Sequence, residues 1–177
     1  MSYKLILEAI SYAARSHDGQ TRADGHTPYI AHPFRVMTIL SVVFGVTDPL
    51  ILATAILHDS IEDTHVNYDD LKSHFGEEVA DNVARLSKDM RLPKSQREFE
   101  FLQDFEGASF AVKLCKLGDM LDNITDIESI DEAKLQSIVA KAKSVLETLE
   151  SGKPLHTGKV SVAIEAVKSE LRDVSEK

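Results

Sequence analysis

Four ionisable side chains directly follow the most apolar stretch of the sequence. His58-Asp59 and then Glu62-Asp63 come after the run LILATAIL. Ionisable groups at the end of a buried helix are costly unless they are paired or bind a metal. On one continuous helix, each member of the first pair lies one turn before a member of the second pair. The spacing therefore predicts two metal ligands, His58 and Asp59, beside two carboxylates, Glu62 and Asp63, that can act on whatever the metal binds.

A metal ion needs more than two ligands, and two other segments offer suitable donors. His32 stands where a polar loop enters an apolar helix, in PYIAHPFRV, and Asp119 interrupts an apolar helix, in KLCKLGDMLDNI. A mixed set of nitrogen and oxygen donors suits Mn²⁺ or Fe²⁺, tolerates Zn²⁺ or Ni²⁺, and lacks the sulfur of a structural zinc site. Four protein ligands would leave an octahedral ion two positions for water or substrate, which predicts a hydrolytic site.

Each of these residues also has a simpler structural explanation. His32 alone is typical of a hydrogen-bonded core histidine, and Asp119 alone could cap a helix or pair with Lys116. Glu62 and Asp63 alone are typical of a solvated helix end. The joint presence of the right residue types on three helices that must pack together favours the metal site.

The elements that must position these residues are predicted to be helices. Apolar residues recur at steps of three and four along the chain, which predicts an all-α fold of about eight to ten helices. We expect one domain over residues 1–177, with a motif-bearing core at about 17–125 and peripheral C-terminal helices at 126–177. The predicted helices cover residues 3–17, 33–44, 49–63, 67–76, 77–87, 95–105, 108–124, 131–150 and 160–175, and residues 151–158 are predicted to be a loop.

The composition of the chain argues against nucleic-acid and membrane partners. The chain has 177 residues and a formal net charge of −9, which disfavours a nucleic-acid partner because phosphate binding there needs a basic face. No apolar run approaches the roughly 18 residues of a membrane span, so we expect no membrane partner. A single cysteine, Cys115, excludes an intramolecular disulfide and agrees with a cytoplasmic protein. The sequence leaves the oligomeric state open.

The motifs HDSIEDT, TPYIAHP and KLGDMLDNI together resemble the HD superfamily of metal-dependent phosphohydrolases. Within it, the sequence is most similar to the (p)ppGpp hydrolase domain of RelA/SpoT proteins, and its length resembles the small alarmone hydrolases, which include the metazoan SpoT homologues. The resemblance runs from about His17 to Asn123, and FGEEVADNV and the LPK segment fall in order between the metal motifs.

The resemblance implies a role for each matching position. His32, His58, Asp59 and Asp119 would hold Mn²⁺, and Glu62 and Asp63 would orient and deprotonate the attacking water. Arg22 would lie near the nucleotide, and Asn123 near the ribose and base. Apart from the resemblance, the remaining phosphates need cationic partners, and the candidates are Arg22, Lys88, Arg91, Lys94, Lys113 and Lys116. Lys113 and Lys116 share the helix of Asp119, and Lys113 is predicted to bind substrate.

The resemblance implies a guanosine-3′,5′-bis(diphosphate) 3′-pyrophosphohydrolase, an enzyme that converts (p)ppGpp into GDP or GTP and pyrophosphate. Ala23, Asp122 and Thr125 depart from the family pattern by removing positive charge or base-stacking surface, which leaves the base open. The alternatives are therefore an HD enzyme acting on (p)ppApp, on the 2′-phosphate of NADPH or on a nucleoside monophosphate, and a module that binds alarmones without turnover.

Overall fold

Helices make up most of the described chain, which comprises residues 2–127, 129–151 and 158–175 of a computed structural model. Ten α-helices lie in these segments, and a π-helical turn, Ile39–Val43, continues the second of them. In chain order the helices are α1 (Ser2–Ser16), α2 (Ala31–Thr38), α3 (Pro49–Leu57), α4 (Ser60–Asp63), α5 (Tyr68–Phe75), α6 (Glu77–Leu86), α7 (Lys94–Glu106), α8 (Phe110–Thr125), α9 (Glu132–Ser151) and α10 (Gly158–Ser175). The predicted all-α fold is confirmed.

Helix α3 is the centre of the fold. Asp48 begins it by accepting a hydrogen bond from the Leu50 amide (2.9 Å), and Pro49 occupies the first helical position, where a missing N–H costs nothing. Every residue from Leu52 to Leu57 is buried. The sequence explains this, because the helix is apolar on all sides and can be covered on all sides.

Helix α8 packs closely against α2, and this brings two predicted ligands to one place. A Cβ atom on Gly118 would overlap Leu40 Cδ1 and lie 3.3 Å from Val36 Cγ1, so only glycine allows the two helices to approach this far. Asp119 is the next residue of α8, and His32 lies in the first turn of α2. Their proximity therefore depends on a small residue in the core.

The chain does not remain helical through the central motif. One helix was predicted over residues 49–63, but α3 ends at Leu57, a turn contains His58 and Asp59, and a separate short helix α4 begins at Ser60. That prediction was wrong because the apolar periodicity carries no signal for a bend, whereas Asp59 adopts φ −95° and ψ 0°. His58 and Asp59 therefore lie at the junction of α3 and α4, and His58 remains buried there.

Helix α2 begins at Ala31, two residues before the predicted start. Pro33 lies within its first turn, where backbone amides have no intrahelical acceptor, so the proline ring does not interrupt the helix. The early start puts His32 on a helix instead of on the preceding loop. Its ring is thereby fixed by the helix and fully buried.

The two C-terminal helices pack onto the core instead of only surrounding it. Val160, Ala163 and Val167 of α10 are fully buried, and α10 packs along α8. Ala142 and Val145 of α9 are buried as well. Residues 152–157 of the predicted loop between these helices lie outside the described part of the chain. Within the described segments, no helix combines the length and apolar character needed to cross a membrane.

Candidate metal centre

Three separate elements deliver the four predicted ligands to one point. His32 comes from the first turn of α2, His58 and Asp59 from the bend between α3 and α4, and Asp119 from α8. His32 Nε2 lies 3.2 Å from Asp119 Oδ1 and 3.5 Å from Asp59 Oδ2. His58 Nε2 lies 3.1 Å from Asp59 Oδ2 and 3.9 Å from Asp119 Oδ1. We call these four residues the histidine–aspartate cluster.

The cluster has the chemistry of a cation site. One ligand atom from each of His32, His58 and Asp59 can be chosen so that all lie within 4.8 Å of one another. His58 Nδ1 donates to the Ala55 carbonyl (2.8 Å), which leaves Nε2 with its lone pair facing the cluster, and that buried nitrogen has no hydrogen-bond partner. A buried nitrogen left in this way fits metal coordination, since polar groups are otherwise satisfied in protein interiors.

Electrostatics at the cluster also favour a cation. Burial by itself would lower the pKa of His32, but hydrogen bonds to Asp119 and Asp122 raise it to about 9. Burial would likewise raise the pKa of Asp119, yet Lys116 and His32 hold it well below its usual value. Asp119 is therefore ionised at neutral pH, and positive charge is stabilised beside it.

A second layer of side chains orients His32. Asp122 Oδ2 accepts from His32 Nδ1 (2.6 Å), and Arg35 Nε donates to the other oxygen of the same carboxylate (2.6 Å). Arg35 also pairs with Asp126 (2.6 Å), which in turn pairs with Arg22 (2.8 Å). A carboxylate on the outer nitrogen of a metal-binding histidine fixes the ring and its tautomer. Asp122 is thus buried behind the cluster. The aspartate at this position, which departs from the family pattern, orients the His32 ring.

Asp119 is held from two sides. Lys116 Nζ lies 2.6 Å from Asp119 Oδ2, and Asn123 Nδ2 donates to Oδ1 (2.5 Å). The ion pair with Lys116 that the sequence offered as an alternative is therefore present. It does not exclude a ligand role, because Asp119 Oδ1 also faces His32.

The second acidic pair flanks the cluster. Tyr29 donates to Asp59 Oδ2 (2.6 Å) and lies 3.1 Å from Asp63 Oδ2, so its hydroxyl joins a predicted ligand to a predicted catalytic carboxylate. The ring of His17 packs on Tyr29, with centroids 5.0 Å apart, and Gln20 bridges His17 Nδ1 and the Asp63 carbonyl, each at 2.7 Å. Tyr29 was not predicted as a site residue, although it stands within the TPYIAHP motif.

The carboxyls of the acidic pair have different surroundings. Partial burial, followed by the neighbouring Asp59 carboxylate, raises the pKa of Asp63. Glu62 Oε2 accepts a hydrogen bond from the backbone amide of Lys88 (2.8 Å), which ties α4 to the segment after α6. Asp63 thus binds a proton more readily than an ordinary aspartate, and Glu62 is fixed in place by its hydrogen bond.

A cavity of about 230 Å³ opens over these groups. All four members of the histidine–aspartate cluster line it, together with both residues of the acidic pair. Its remaining walls come from Tyr29, Leu86, Lys88, Lys116, Met120, Asn123 and, on α9, Lys134, Ile138, Lys141, Ala142 and Val145. The cavity thus brings the predicted metal ligands, both acidic residues and several lysines to one open space.

Residues 9–151 match the family model described as HD domain. The chain belongs to the HD-domain family. This HD protein is 36% identical to a guanosine-3′,5′-bis(diphosphate) 3′-pyrophosphohydrolase, MESH1, of Xenopus tropicalis, over 88% of this chain and 90% of the relative. The Homo sapiens protein of the same name is 37% identical, over 82% of this chain and 84% of the relative.

A solved structure shares the fold of the HD protein along nearly its whole length. It is described as a metazoan orthologue of SpoT that hydrolyses ppGpp, and it superposes with a TM-score of 0.81 at 29% identity, covering 94% of each chain. The resemblance drawn from HDSIEDT and its companion motifs is confirmed, as is the class of metal-dependent phosphohydrolase.

Of the three predicted substrate-binding residues of the HD protein, only one lies at the cavity. Asn123 lines the cavity, but Arg22 and Lys113 are not among its lining residues. Arg22 forms an ion pair with Asp126 and donates to Asn123 Oδ1 at 3.3 Å. Asn123 therefore lies between Arg22 and the cavity. Lys113 donates to the Glu106 carbonyl (2.9 Å), because its position on α8 points it away from Asp119. Lys116, one turn later on α8, lines the cavity instead.

The sequence analysis also did not place α9 at the site. Four of its cavity-lining residues, Lys134, Ile138, Lys141 and Val145, follow one another at steps of four, three and four. This spacing defines one helix face and was visible in the sequence. What the sequence lacked was any sign that this face covers the HDSIEDT motif.

Proposed function

We propose that this HD protein is a Mn²⁺-dependent guanosine-3′,5′-bis(diphosphate) 3′-pyrophosphohydrolase, which converts (p)ppGpp into GDP or GTP and pyrophosphate. The observation that carries the proposal is the convergence of His32, His58, Asp59 and Asp119 beside Glu62 and Asp63 in one cavity. The first three offer ligand atoms within 4.8 Å of one another, and Asp119 lies 3.2 Å from His32. The names of the relatives in Xenopus tropicalis and Homo sapiens support the choice of substrate.

The histidine–aspartate cluster would hold the ion. Two imidazole nitrogens and two carboxylate oxygens form a borderline-hard donor set that suits Mn²⁺. When bound, a divalent cation lowers the pKa of water and neutralises charge that develops on phosphoryl oxygens. Asp122, through His32, and Lys116 and Asn123, through Asp119, would keep the donor atoms in position.

The acidic pair would manage the proton of the attacking water. Asp63 would accept the proton, because burial and the Asp59 carboxylate raise its pKa and Tyr29 holds its side chain by a hydrogen bond. Glu62 is anchored by the Lys88 amide through one oxygen, which leaves the other oxygen to orient water. The two carboxylates therefore divide orientation and proton transfer between them.

The reaction is a hydrolysis at the phosphorus attached to the 3′ oxygen. The oxygen of water forms the new bond to this phosphorus, and the bond from phosphorus to the 3′ oxygen breaks. The departing 3′ oxygen takes up a proton and remains on the nucleoside 5′-diphosphate or triphosphate. The hydroxyl gained from water leaves with the two phosphates as pyrophosphate, so atoms and charge balance.

Asn123 is the residue placed to meet the sugar. Its side chain lines the cavity, donates to Asp119 and accepts from Arg22 at 3.3 Å. Arg22 would then act on the nucleotide through Asn123. This revises the direct contact that the family resemblance implies for the arginine.

Product analysis tests the proposal. The Mn²⁺-loaded protein is incubated with ppGpp, ppApp, NADPH and GMP, and the products are separated by anion-exchange chromatography. We expect GDP and pyrophosphate from ppGpp, and no turnover after the metal is removed with a chelator. Release of orthophosphate alone, or preferential turnover of NADPH or GMP, would overturn the assignment.

A further inference from the structure

A second cluster of charge lies in the same cavity, and the chemistry above uses only the Lys116 side chain and the Lys88 backbone amide from it. Lys88 follows α6, Lys116 lies on α8 and Lys141 lies on α9, and all three line the cavity. We call these three residues the lysine cluster. Its positive charge contrasts with the formal net charge of −9 on the whole chain. A concentration of cations against that background indicates an anionic ligand.

The aromatic ring of Phe101 supports two of the three lysines. Lys88 Nζ lies 5.1 Å from the centre of this ring, and Lys116 Nζ lies 5.5 Å from it. Ammonium groups at this distance are attracted by the ring face. Phe101 itself is buried, so both ammonium groups lie against a side chain of the core.

The cluster holds more positive than negative charge once Asp119 is assigned to the metal. Glu98 Oε1 lies 3.1 Å from Lys141 Nζ and 3.9 Å from Lys88 Nζ. The second distance is too long for a hydrogen bond, and the Lys88 side chain is only 12% exposed. Burial, followed by the nearby Lys116 ammonium, lowers the pKa of Lys88. A further anion beside Lys88 and Lys141 would relieve this imbalance.

The lysine cluster is joined to the catalytic end of the cavity at two points. Lys116 pairs with Asp119, and the Lys88 backbone amide donates to Glu62. One ligand can therefore place a phosphate at the histidine–aspartate cluster and another anionic group at the lysines. A nucleotide phosphorylated at two separate positions has this distribution of charge.

We propose that Lys88 and Lys141 bind the phosphates of the substrate that are not cleaved, and that Glu98 is the internal carboxylate which these phosphates displace. This assignment rests on the proposed function and specifies how its site selects substrate. Lys88 and Lys141 are specificity-determining residues, since they increase the affinity for a ligand with a second phosphate group. They do not increase the affinity for a nucleoside monophosphate. Glu98 opposes binding, so removing its charge strengthens the interaction.

Calorimetric titration of the full-length, Mn²⁺-loaded protein with GDP and with pyrophosphate tests the proposal without any turnover. GDP carries the uncleaved phosphates, and pyrophosphate is the part released at the metal. We expect Lys88→Gln and Lys141→Gln each to weaken GDP binding about tenfold, as for loss of a charge-assisted contact, and to change pyrophosphate binding less than about twofold. Glu98→Gln should tighten GDP binding. Asp59→Asn should have the opposite effect: it should weaken the binding of pyrophosphate more than the binding of GDP.

Matched variants separate charge from structure. Lys143 is exposed on the same helix as Lys141 and does not line the cavity, so Lys143→Gln should leave GDP affinity unchanged. Lys141→Arg should retain most of it. Since Lys141 is about half exposed, its substitution leaves the fold intact even if Lys88→Gln is unstable.

Steady-state kinetics with ppGpp give a second readout. Lys141→Gln should raise KM about tenfold with kcat nearly unchanged, and Glu98→Gln should lower KM. Equal GDP affinity in wild type and lysine variants, no GDP binding by the wild type, or weaker GDP binding in Glu98→Gln would overturn the assignment. GDP binding is measured whether or not ppGpp is hydrolysed, so failure of the proposed function is seen separately.

Discussion

The two ends of the cavity are built differently. His32 and His58 are almost fully buried, and each has its outer nitrogen hydrogen-bonded to a neighbouring oxygen. The lysine cluster, by contrast, is carried by long side chains, and Lys141 is 47% exposed. One end is fixed by the core, and the other extends from the half-buried Lys88 and Lys116 to the surface at Lys141.

The two ends of the cavity therefore suit different functions. A metal site needs donor atoms held to within fractions of an ångström, which requires packed helices and a second layer of hydrogen bonds. Recognition of phosphate by lysine needs charge at short range but little directional accuracy. We infer that chemistry depends on the histidine–aspartate cluster and substrate choice on the lysine cluster. Substitutions at the two ends should therefore affect different measured quantities.

Asp59→Asn should abolish function at the buried end. The amide cannot replace a carboxylate that faces both histidines, so Mn²⁺ affinity should fall by more than the about 10- to 100-fold cost of losing an outer-layer partner. Calorimetric titration with Mn²⁺ measures this, and the ppGpp assay should show no turnover. Wild-type Mn²⁺ affinity in this variant would remove Asp59 from the ligand set.

Asp63→Asn should separate chemistry from binding. Loss of a proton acceptor costs about 10²- to 10⁴-fold in rate, so kcat should fall by this factor while Mn²⁺ and GDP affinities stay near wild type. Single-turnover kinetics and calorimetry of the same preparation provide the comparison. A parallel loss of Mn²⁺ affinity would instead identify Asp63 as a metal ligand.

Asp122→Asn should weaken the metal site without removing a ligand. Because Asp122 is the carboxylate partner of both His32 and Arg35, we expect Mn²⁺ affinity to fall about 10- to 100-fold. Activity should recover when excess Mn²⁺ is supplied. Activity that stays low at saturating Mn²⁺ would mean that Asp122 affects the substrate instead.

Lys113→Gln should change little at either end. Lys113 bonds to the Glu106 carbonyl outside the cavity, and exposed substitutions of this kind alter free energies by at most about 0.5 kcal/mol, or about twofold. Lys116→Gln, one turn away and in contact with Asp119, is the matched comparison and should lower Mn²⁺ affinity. A large rise in KM for Lys113→Gln would restore the substrate contact expected from the sequence.

Most of the metal centre could be predicted from the sequence because its residues interrupt apolar patterns. His32, His58, Asp59 and Asp119 each place a polar group where periodicity demands a buried position, and such groups need a partner. The helix boundaries at Asp48 and Asn67 were also predictable, since local capping chemistry produces them. The bend at Asp59 was not, because its backbone geometry follows from packing.

Local and long-range interactions thus explain different parts of this protein. Helix type, helix caps and the identity of the candidate metal donors follow from short-range patterns among neighbouring residues. The inward direction of Lys116, the outward direction of Lys113 and the approach of α9 to the cavity depend on how distant helices pack. No periodic pattern records which neighbour will cover a given helix face, since that depends on the shape of the whole core.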